Sequence, residues 1–182
     1  NDDENDALIR GYEISWYQTF DEFLPESLAG FGIAANYTYN NSESGEKDGE
    51  GGAIPFWGLS KTQSNINLFY EQHGFSANIA YNKRSGYNAR KVWHWTYETF
   101  GWVDNEQANA TDWESLSISL AYDVSENLRI TADGNNLLDP ETNLWVNAIN
   151  TKMLSAGAAE GSYGLSSASY GRRYSVGIRY KF

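Results

Sequence analysis

The sequence contains no cysteine, three prolines and two histidines in 182 residues. Without cysteine, the fold has neither disulfides nor thiolate metal ligands. No run of about 18 apolar residues occurs, which excludes a transmembrane helix but not transmembrane β-strands, since these need no such run. Basic residues are also scarce, with 13 Lys and Arg against 24 Asp and Glu and a formal net charge of −11. This charge argues against a nucleic-acid partner, which requires a basic surface.

Aromatic residues are abundant instead. They make up 15% of the chain and include seven Trp and thirteen Tyr. Long aliphatic runs are missing, so the composition is unusual for a globular core. It is typical of strands whose rings lie at a boundary between water and lipid.

Seven segments alternate between apolar and polar residues, which is the period of a β-strand with one apolar and one polar face. Each has about the 9–11 residues that a tilted strand needs to cross a bilayer. The predicted strands are residues 8–19, 31–41, 59–70, 75–86, 112–123, 128–138 and 170–182.

The connections between these strands alternate in length. Short ones at 20–30, 71–74 and 123–127 are interleaved with long polar ones at about 40–55, 85–111 and 139–169. Transmembrane β-barrels have this arrangement, with short turns on the periplasmic side and long loops outside. The sequence therefore predicts an all-β, antiparallel transmembrane barrel. Seven strands leave two unpaired edges, so the rest of a barrel is expected as a partner.

The polar positions of the strands predict a wet lumen. A wet lumen requires a barrel much wider than the eight strands that side chains alone can fill. The residues predicted to face it are Glu13, Asn36, Asn65, Asn67, Asn78 and Asn82.

Four stretches resemble the late barrel strands of TonB-dependent outer-membrane receptors: IRGYEISWYQTFDEFLPESLAGFGIAANYTYNNSES, GLSKTQSNINLFYEQHGFSANIAYNKRSGY, DVSENLRITADGNNLLD and YGRRYSVGIRYKF. The resemblance covers nearly the whole chain in order and weakens in the long loops. It implies a 22-stranded barrel, of which this chain is the last seven strands, without the N-terminal plug domain. It also implies the outer membrane of a Gram-negative bacterium and contact with TonB–ExbB–ExbD through the plug. No cofactor is expected, and no enzymatic activity either, because the residues carry little catalytic signal.

The resemblance further implies an assembly signal in the last strand. An unpaired strand edge can be bound by strand addition, here by the barrel assembly machinery. The alternative is an ordinary lipid-facing strand with an aromatic end residue. The signal residues would be Tyr174, Val176, Ile178, Tyr180 and Phe182.

The segment 92–106, VWHWTYETFGWVDNE, concentrates aromatic residues in a predicted outer loop. Exposed rings mark a binding surface or pack against a neighbouring loop, and both interpretations stay open. Trp57 in PFWGLS is predicted to lie in the interfacial aromatic belt rather than in a ligand site. The candidate substrate-binding residues are Trp93, Trp95, Tyr97, Trp102, Arg84 and Arg90.

A basic cluster lies at the end of the fourth predicted strand. Lys83, Arg84, Arg90 and Lys91 follow one another closely in an otherwise acidic chain. They would bind an anionic ligand or a lipopolysaccharide phosphate, or form a solvated rim balanced by carboxylates.

Signals for catalysis or metal binding are weak. His73 falls in a predicted periplasmic turn and His94 in a predicted outer loop, so no His-based triad or metal site is expected. Asp112 and Glu114 have the spacing of a carboxylate pair but are interpreted as the polar end of a strand.

The expected function is TonB-dependent uptake of a scarce nutrient, foremost a carbohydrate or oligosaccharide, and second a ferric siderophore. One rival is a soluble β-sandwich that binds carbohydrate, in which Tyr12, Ile33, Leu68, Ile79 and Ile118 would form a packed interior. Another is an outer-membrane barrel without energised transport. Outer-membrane lipid and lipopolysaccharide are the remaining expected partners.

Overall fold

Strands form wherever the sequence alternates strictly, and also in places where it does not. The computed structural model describes residues 6–47, 51–96, 101–147 and 162–182; the side chains of 90–96, 101–106, 147, 162 and 163 are outside this description. The strands are β1 (Leu8–Thr19), β2 (Phe31–Glu43), β3 (Thr62–Gln72), β4 (Phe75–Arg84), β5 (Tyr87–Thr96), β6 (Gly101–Ala110), β7 (Trp113–Ser125), β8 (Leu128–Asn135), β9 (Thr142–Asn147), β10 (Ser162–Ala168) and β11 (Arg173–Tyr180). A single 3₁₀ turn, Glu26–Leu28, is the one helical element in these ranges.

The larger sheet has seven antiparallel strands in the order β1-β2-β3-β4-β7-β8-β11. These strands coincide with the seven alternating segments, and their ends differ from the expected ones by at most three residues. The prediction of an all-β, antiparallel fold is therefore confirmed. In the part of the chain that the structure describes, β1 pairs with β2 alone and β11 with β8 alone. The sheet is thus open at both edges and does not close into a barrel.

The short connections lie at one end of this sheet. The turn between β3 and β4 consists of His73 and Gly74, which have φ angles of 52° and 75°. Two successive residues with positive φ match the twist of a hairpin, which explains the two-residue loop. Glu126 and Asn127 form the corresponding turn between β7 and β8. The third short connection, 20–30, holds the 3₁₀ turn.

The expectation that 85–111 and 139–169 are long loops is wrong. β5 and β6 form one hairpin in the first stretch, β9 and β10 pair in the second, and β6 pairs with β9. The result is a second, four-stranded sheet in the order β10-β9-β6-β5. Its ladder is irregular, with register shifts between Asn88 and Arg90 and between Val92 and Trp93. The first shift inserts an extra residue in β5 and the second an extra residue in β6, and a bulge of this kind interrupts the period of two of the strand that carries it.

Two corners connect the sheets. At the first, Ser85 and Gly86 interrupt β4–β5 opposite Thr111 and Asp112, and the Gly86 N–H donates to Asp112 Oδ1 at 2.7 Å. A Cβ on Gly86 would lie 2.4 Å from the Ala110 carbonyl oxygen, so the β4–β5 and β6–β7 connections can approach this closely only with glycine at position 86.

At the second corner, Asp139 Oδ1 accepts from Ser169 Oγ at 2.9 Å and from the Gly171 N–H at 3.0 Å. Asn136 Nδ2 donates to the Gly171 carbonyl at 2.9 Å. Asn136 and Asp139 both have positive φ, a conformation that Asn and Asp tolerate better than most residues. These side-chain hydrogen bonds hold the residues before β11 against the residues after β8.

Buried side chains are few, and most lie in the four-stranded sheet or in the segment 54–60. They include Ile54, Ala108, Ala110 and Val146 among apolar residues, and Ser60, Asn88 and Ser115 among polar ones. The fold therefore has no central hydrophobic core in its described part. No helix in that part is long and apolar enough to cross a membrane.

Candidate functional site

The register of the larger sheet places its apolar residues on one side, here called the apolar face. Directly paired residues point to the same side of an antiparallel sheet, and the pairings Leu68 with Ile79 and Ile79 with Ile118 continue this face across three strands. Its side chains are Tyr12, Ile14, Trp16, Phe31, Ile33, Ala35, Tyr37, Tyr39, Ile66, Leu68, Tyr70, Phe75, Ala77, Ile79, Tyr81, Leu116, Ile118, Leu120, Tyr122, Leu128, Ile130, Ala132, Tyr174, Val176, Ile178 and Tyr180.

The apolar face is uncovered. Ile14 is 61% exposed on β1, Ile79 is 40% exposed on the central strand β4, and Val176 is 79% exposed on β11. A contiguous apolar surface of this size marks a contact with lipid or with another protein. The packed interior expected for a soluble sandwich is not formed, since Tyr12 and Leu68 are also exposed.

Aromatic rings border the apolar face at both ends, with aliphatic residues between them. On β11 the face runs Tyr174, Val176, Ile178, Tyr180. The six residue steps from Tyr174 to Tyr180 span about 20 Å, close to the apolar band of about 25 Å on transmembrane barrels.

The rings contact one another along each border. At the short-turn end, Tyr70 lies 4.6 Å from Phe31 and 6.0 Å from Phe75, centroid to centroid. At the opposite end, Tyr12 lies 5.4 Å from Tyr39. The rings thus lie in two bands, with ring contacts across β2, β3 and β4 at the short-turn end and across β1 and β2 at the opposite end.

The polar face of the same sheet carries all six residues that the sequence predicted to share a lumen. Asn36 pairs with Asn65, and Asn65 with Asn82, so three amides cross adjacent strands. Asn36 Nδ2 donates to Ser15 Oγ at 3.0 Å and also to Glu13 Oε1. Asn67 and Asn78 lie further along this face. A row of hydrogen-bonding side chains suits contact with water or a polar ligand.

The predicted aromatic substrate site lies mostly outside the described part of the chain. Trp93 and Trp95 are on β5 and Trp102 is on β6, with Trp95 in register with Trp102. Their side chains, and that of Arg90, are outside the description, as is Tyr97 altogether. Trp57, expected in the aromatic belt, lies in a turn at 57–58 and is 47% exposed.

The predicted basic cluster is divided by the sheet. Lys83 pairs with Glu114 on the side of the apolar face. Arg84 lies on the opposite side, with its guanidinium 4.8 Å from the Tyr87 ring and 5.7 Å from the Trp113 ring. The Lys91 side chain is outside the described residues. Lys83 and Arg84 therefore cannot bind one anion together, and Arg84 has the environment of a cation–π contact.

Asp112 and Glu114 do not form a carboxylate pair. Asp112 caps the Gly86 N–H at the first corner, whereas Glu114 Oε2 accepts from Tyr81 Oη at 2.6 Å on the apolar side. Both carboxylates therefore have structural partners. Within the described ranges, no group of three His, Cys, Asp or Glu is placed to hold a metal.

The sequence did not predict the cleft that lies between the two sheets, here called the junction cleft. Its volume is about 680 Å³. It is lined by the 40–61 segment, the first corner and the four-stranded sheet, from here on called the upper sheet. Its charged members are Lys61 and Asp112. Asp112 is held by Gly86, and Lys61 Nζ lies 5.7 Å over the Tyr39 ring. The remaining lining is neutral, with amides and the aromatic residues Tyr87 and Trp145.

One row of side chains in this cleft crosses three strands of the upper sheet. Asn88 pairs with Asn109, and Asn109 with Trp145, so the three point to the same side. Gln107, two residues before Asn109, shares that side. Asn88 is only 6% exposed, and its Nδ2 donates to Gln107 Oε1 at 2.6 Å. These residues lie in segments that looked like loops, and their only sequence signal was a local enrichment in Asn and Gln.

Comparison of the chain with models of protein families, with curated proteins and with solved structures found no match.

Proposed function

We propose that the chain forms part of the wall of an outer-membrane β-barrel receptor for active, TonB-dependent nutrient uptake in a Gram-negative bacterium. The observation that carries this proposal is the apolar face, which is exposed across seven strands and bordered by two aromatic bands. A lipid bilayer is the partner that covers such a surface most directly, because its apolar thickness matches the spacing of the bands.

The polar face supports the barrel form of this proposal. A sheet with lipid on one side and hydrogen-bonding side chains on the other encloses water when it closes. The amides of Asn36, Asn65 and Asn82 would then line the interior. A water-filled interior requires a wide barrel, and the proposed count is 22 strands, with these seven as the last.

The two edges of the sheet also support it. Unpaired backbone groups of β1 and β11 cannot face lipid, because the bilayer offers no hydrogen bonds to them. Further strands must therefore cover these edges in the membrane. On this proposal the assembly machinery also binds β11, with Tyr174, Val176, Ile178 and Tyr180, together with Phe182 two residues after its end.

Uptake, rather than a purely structural role, is supported by the upper sheet and its cleft. The junction cleft lies at the long-loop end, which would face the outside. Apart from Lys61 and Asp112, its lining is neutral and rich in amides, with Trp145 and Tyr87, which favours a carbohydrate over a ferric chelate. The plug and the contact with TonB–ExbB–ExbD belong to the proposal through family resemblance alone.

Single-cysteine labelling tests the membrane part of the proposal, because the chain has no cysteine of its own. An environment-sensitive fluorophore would be attached at Ile79→Cys on the apolar face and, as a control, at Asn78→Cys on the polar face. In the full chain refolded with lipid micelles, we expect the label at 79 to shift to the blue and to be quenched by spin-labelled lipid, and the label at 78 to do neither. Equal quenching at both positions, or a monomeric β-protein in plain buffer with the label at 79 shielded, would reject the proposal.

A further inference from the structure

The connection between β1 and β2, residues 20–30, is longer than the other two short connections. The β3–β4 and β7–β8 hairpins turn with two residues each, at 73–74 and 126–127. Residues 20–30 instead contain a turn closed by the Leu24 N–H, which donates to the Phe20 carbonyl at 2.9 Å, followed by the 3₁₀ turn. The added length is not needed to join the strands, so it is available for a contact of its own.

The large apolar side chains of this connection, here called the apolar turn, are exposed. Phe23, Leu24 and Leu28 have exposed fractions of 69%, 37% and 43%. Exposed carboxylates lie among them, with Glu22 directly before Phe23 and Glu26 two residues before Leu28. Apolar and charged side chains in one short segment suit the boundary between water and lipid, where both kinds are solvated.

Contacts with β3 hold the apolar turn on the apolar side of the larger sheet. Gln72 pairs directly with Phe75 and therefore points to the same side as the apolar face. Its Nε2 donates to the Glu26 carbonyl at 2.7 Å, and Tyr70 Oη lies 3.5 Å from the Ser27 carbonyl oxygen. Tyr70 and Phe75 belong to the aromatic band at the short-turn end. The apolar turn therefore continues this band beyond the end of the strands.

We infer that the apolar turn lies in the headgroup layer of a phospholipid leaflet and anchors the short-turn end of the larger sheet there. The inference rests on the proposed function, because lipid must cover the apolar face for the adjoining turn to meet it. Interfacial amphipathic segments enter the boundary between headgroups and acyl chains by about 5–10 Å. Glu22 and Glu26 keep the turn at this shallow depth, since charges among acyl chains are costly. They also favour zwitterionic over anionic lipid, whose surface potential repels carboxylates.

Cysteine labelling at three depths tests the inference. The fluorophore is attached at Leu24→Cys in the apolar turn, at Ile79→Cys on the apolar face and, as a control, at Asn127→Cys in the β7–β8 turn. The full chain is refolded in phosphatidylcholine vesicles with a spin label on the headgroup or deep in the acyl chain. We expect the headgroup spin label to quench position 24 more strongly than position 127. The acyl-chain spin label should quench position 79 most strongly.

The three labels separate failure of the inference from failure of the proposed function. Equal headgroup quenching at 24 and 127, with position 79 still quenched from the acyl chains, would overturn the inference alone. Shielding of position 24 from both spin labels and from aqueous iodide would overturn it too, because the turn would then contact protein or a second copy of the chain. Loss of acyl-chain quenching at 79 would reject the proposed function and the inference with it. Leu28→Cys replaces Leu24→Cys if that variant does not fold.

Gln72→Leu tests how the turn is positioned. The change removes the donor to the Glu26 carbonyl and keeps a side chain of similar size. We expect the label at 24 to lose headgroup quenching, with a shift of about fivefold towards the water-exposed turn, the equivalent of one net hydrogen bond. Gln63→Leu makes the same change on the polar face of β3 and should leave the label unchanged. Equal quenching in both variants would overturn the placement of the turn by Gln72.

Lipid charge provides an independent measurement. Replacing part of the phosphatidylcholine with phosphatidylglycerol should reduce headgroup quenching at 24, because the anionic surface repels Glu22 and Glu26. Salt at 1 M should restore it, since the Debye length falls to about 3 Å. Acyl-chain quenching at 79 should be the same in both lipids. Unchanged or stronger headgroup quenching in the anionic vesicles would overturn the preference for zwitterionic lipid.

Discussion

The two sheets of this chain differ in how their strands are held. The seven-stranded sheet has nearly uninterrupted ladders and one uniformly apolar face, and that face is exposed. The four-stranded sheet has register shifts in both of its hairpins, yet it contributes the buried residues Ala108, Ala110 and Val146. The regular sheet thus exposes its apolar surface, whereas the irregular sheet provides local packing and part of a cleft.

The largest loss of stability is expected when a charge is placed on the apolar face of the larger sheet rather than on its polar face. Ile79→Lys places a charge on the apolar face, and on the proposed function it should lower the unfolding free energy in lipid by about 2–4 kcal/mol. Asn78→Lys, the neighbouring residue on the polar face, should change it by less than about 0.5 kcal/mol. Urea unfolding in lipid vesicles measures both. Similar losses for the two variants would show that the faces are not differently solvated.

The seven strands of the larger sheet could be predicted from the sequence because nothing disturbs their period of two. Tyr174, Val176, Ile178 and Tyr180 alternate with polar residues and glycine along β11, and the structure pairs that strand in a regular register with β8. β5 could not be predicted in this way. Its ladder with β6 shifts register twice, once through an extra residue in β5 and once through an extra residue in β6, so YNARKVWHWT is not paired at one constant period.

The candidate site was predicted only in part, for a related reason. Alternate residues of a strand point to the same face, so the sequence alone could predict that the six polar residues share one face. The junction cleft depends on pairing between β6 and β9, whose partners Asn109 and Trp145 are far apart in the chain. Such a contact leaves no local pattern. The splitting of Lys83 from Arg84 was open to prediction, because adjacent residues on a strand point to opposite sides.

The next prediction concerns the first corner, where the two sheets meet. Gly86→Ala places a Cβ 2.4 Å from the Ala110 carbonyl oxygen, so the β4–β5 and β6–β7 connections must move apart. We expect a loss of about 2 kcal/mol in unfolding free energy, within the range for overpacking. The matched control is Gly164→Ala on β10, where nothing lies within 4 Å of the added Cβ. Equal stability of the two variants would mean that the corner adjusts freely.

The second corner gives a smaller effect that depends on one oxygen. Asp139→Ala removes the acceptor for Ser169 Oγ and the Gly171 N–H and leaves a non-glycine residue at φ 51°. The expected cost is about 1–2 kcal/mol. Asp139→Asn keeps an acceptor oxygen and tolerates positive φ, so it should cost less than about 0.5 kcal/mol. Thermal unfolding of the pair measures the difference. If Asp139→Asn were as destabilising as Asp139→Ala, the charge of the carboxylate rather than its hydrogen bonds would be the stabilising feature.

The smallest effect is expected at the short-turn end of the larger sheet. Arg129 Nη1 lies 3.3 Å from Asp123 Oδ2, and the two side chains are 40% and 43% exposed. Solvent screens such a pair, so Asp123→Asn should cost less than about 0.5 kcal/mol. The loss should also shrink further in high salt, because the Debye length falls to about 3 Å at 1 M. Urea unfolding at low and high salt measures it. A loss near that of Gly86→Ala would mean that this end is less exposed to water than the open sheet implies, and that its turns are covered by another part of a larger assembly.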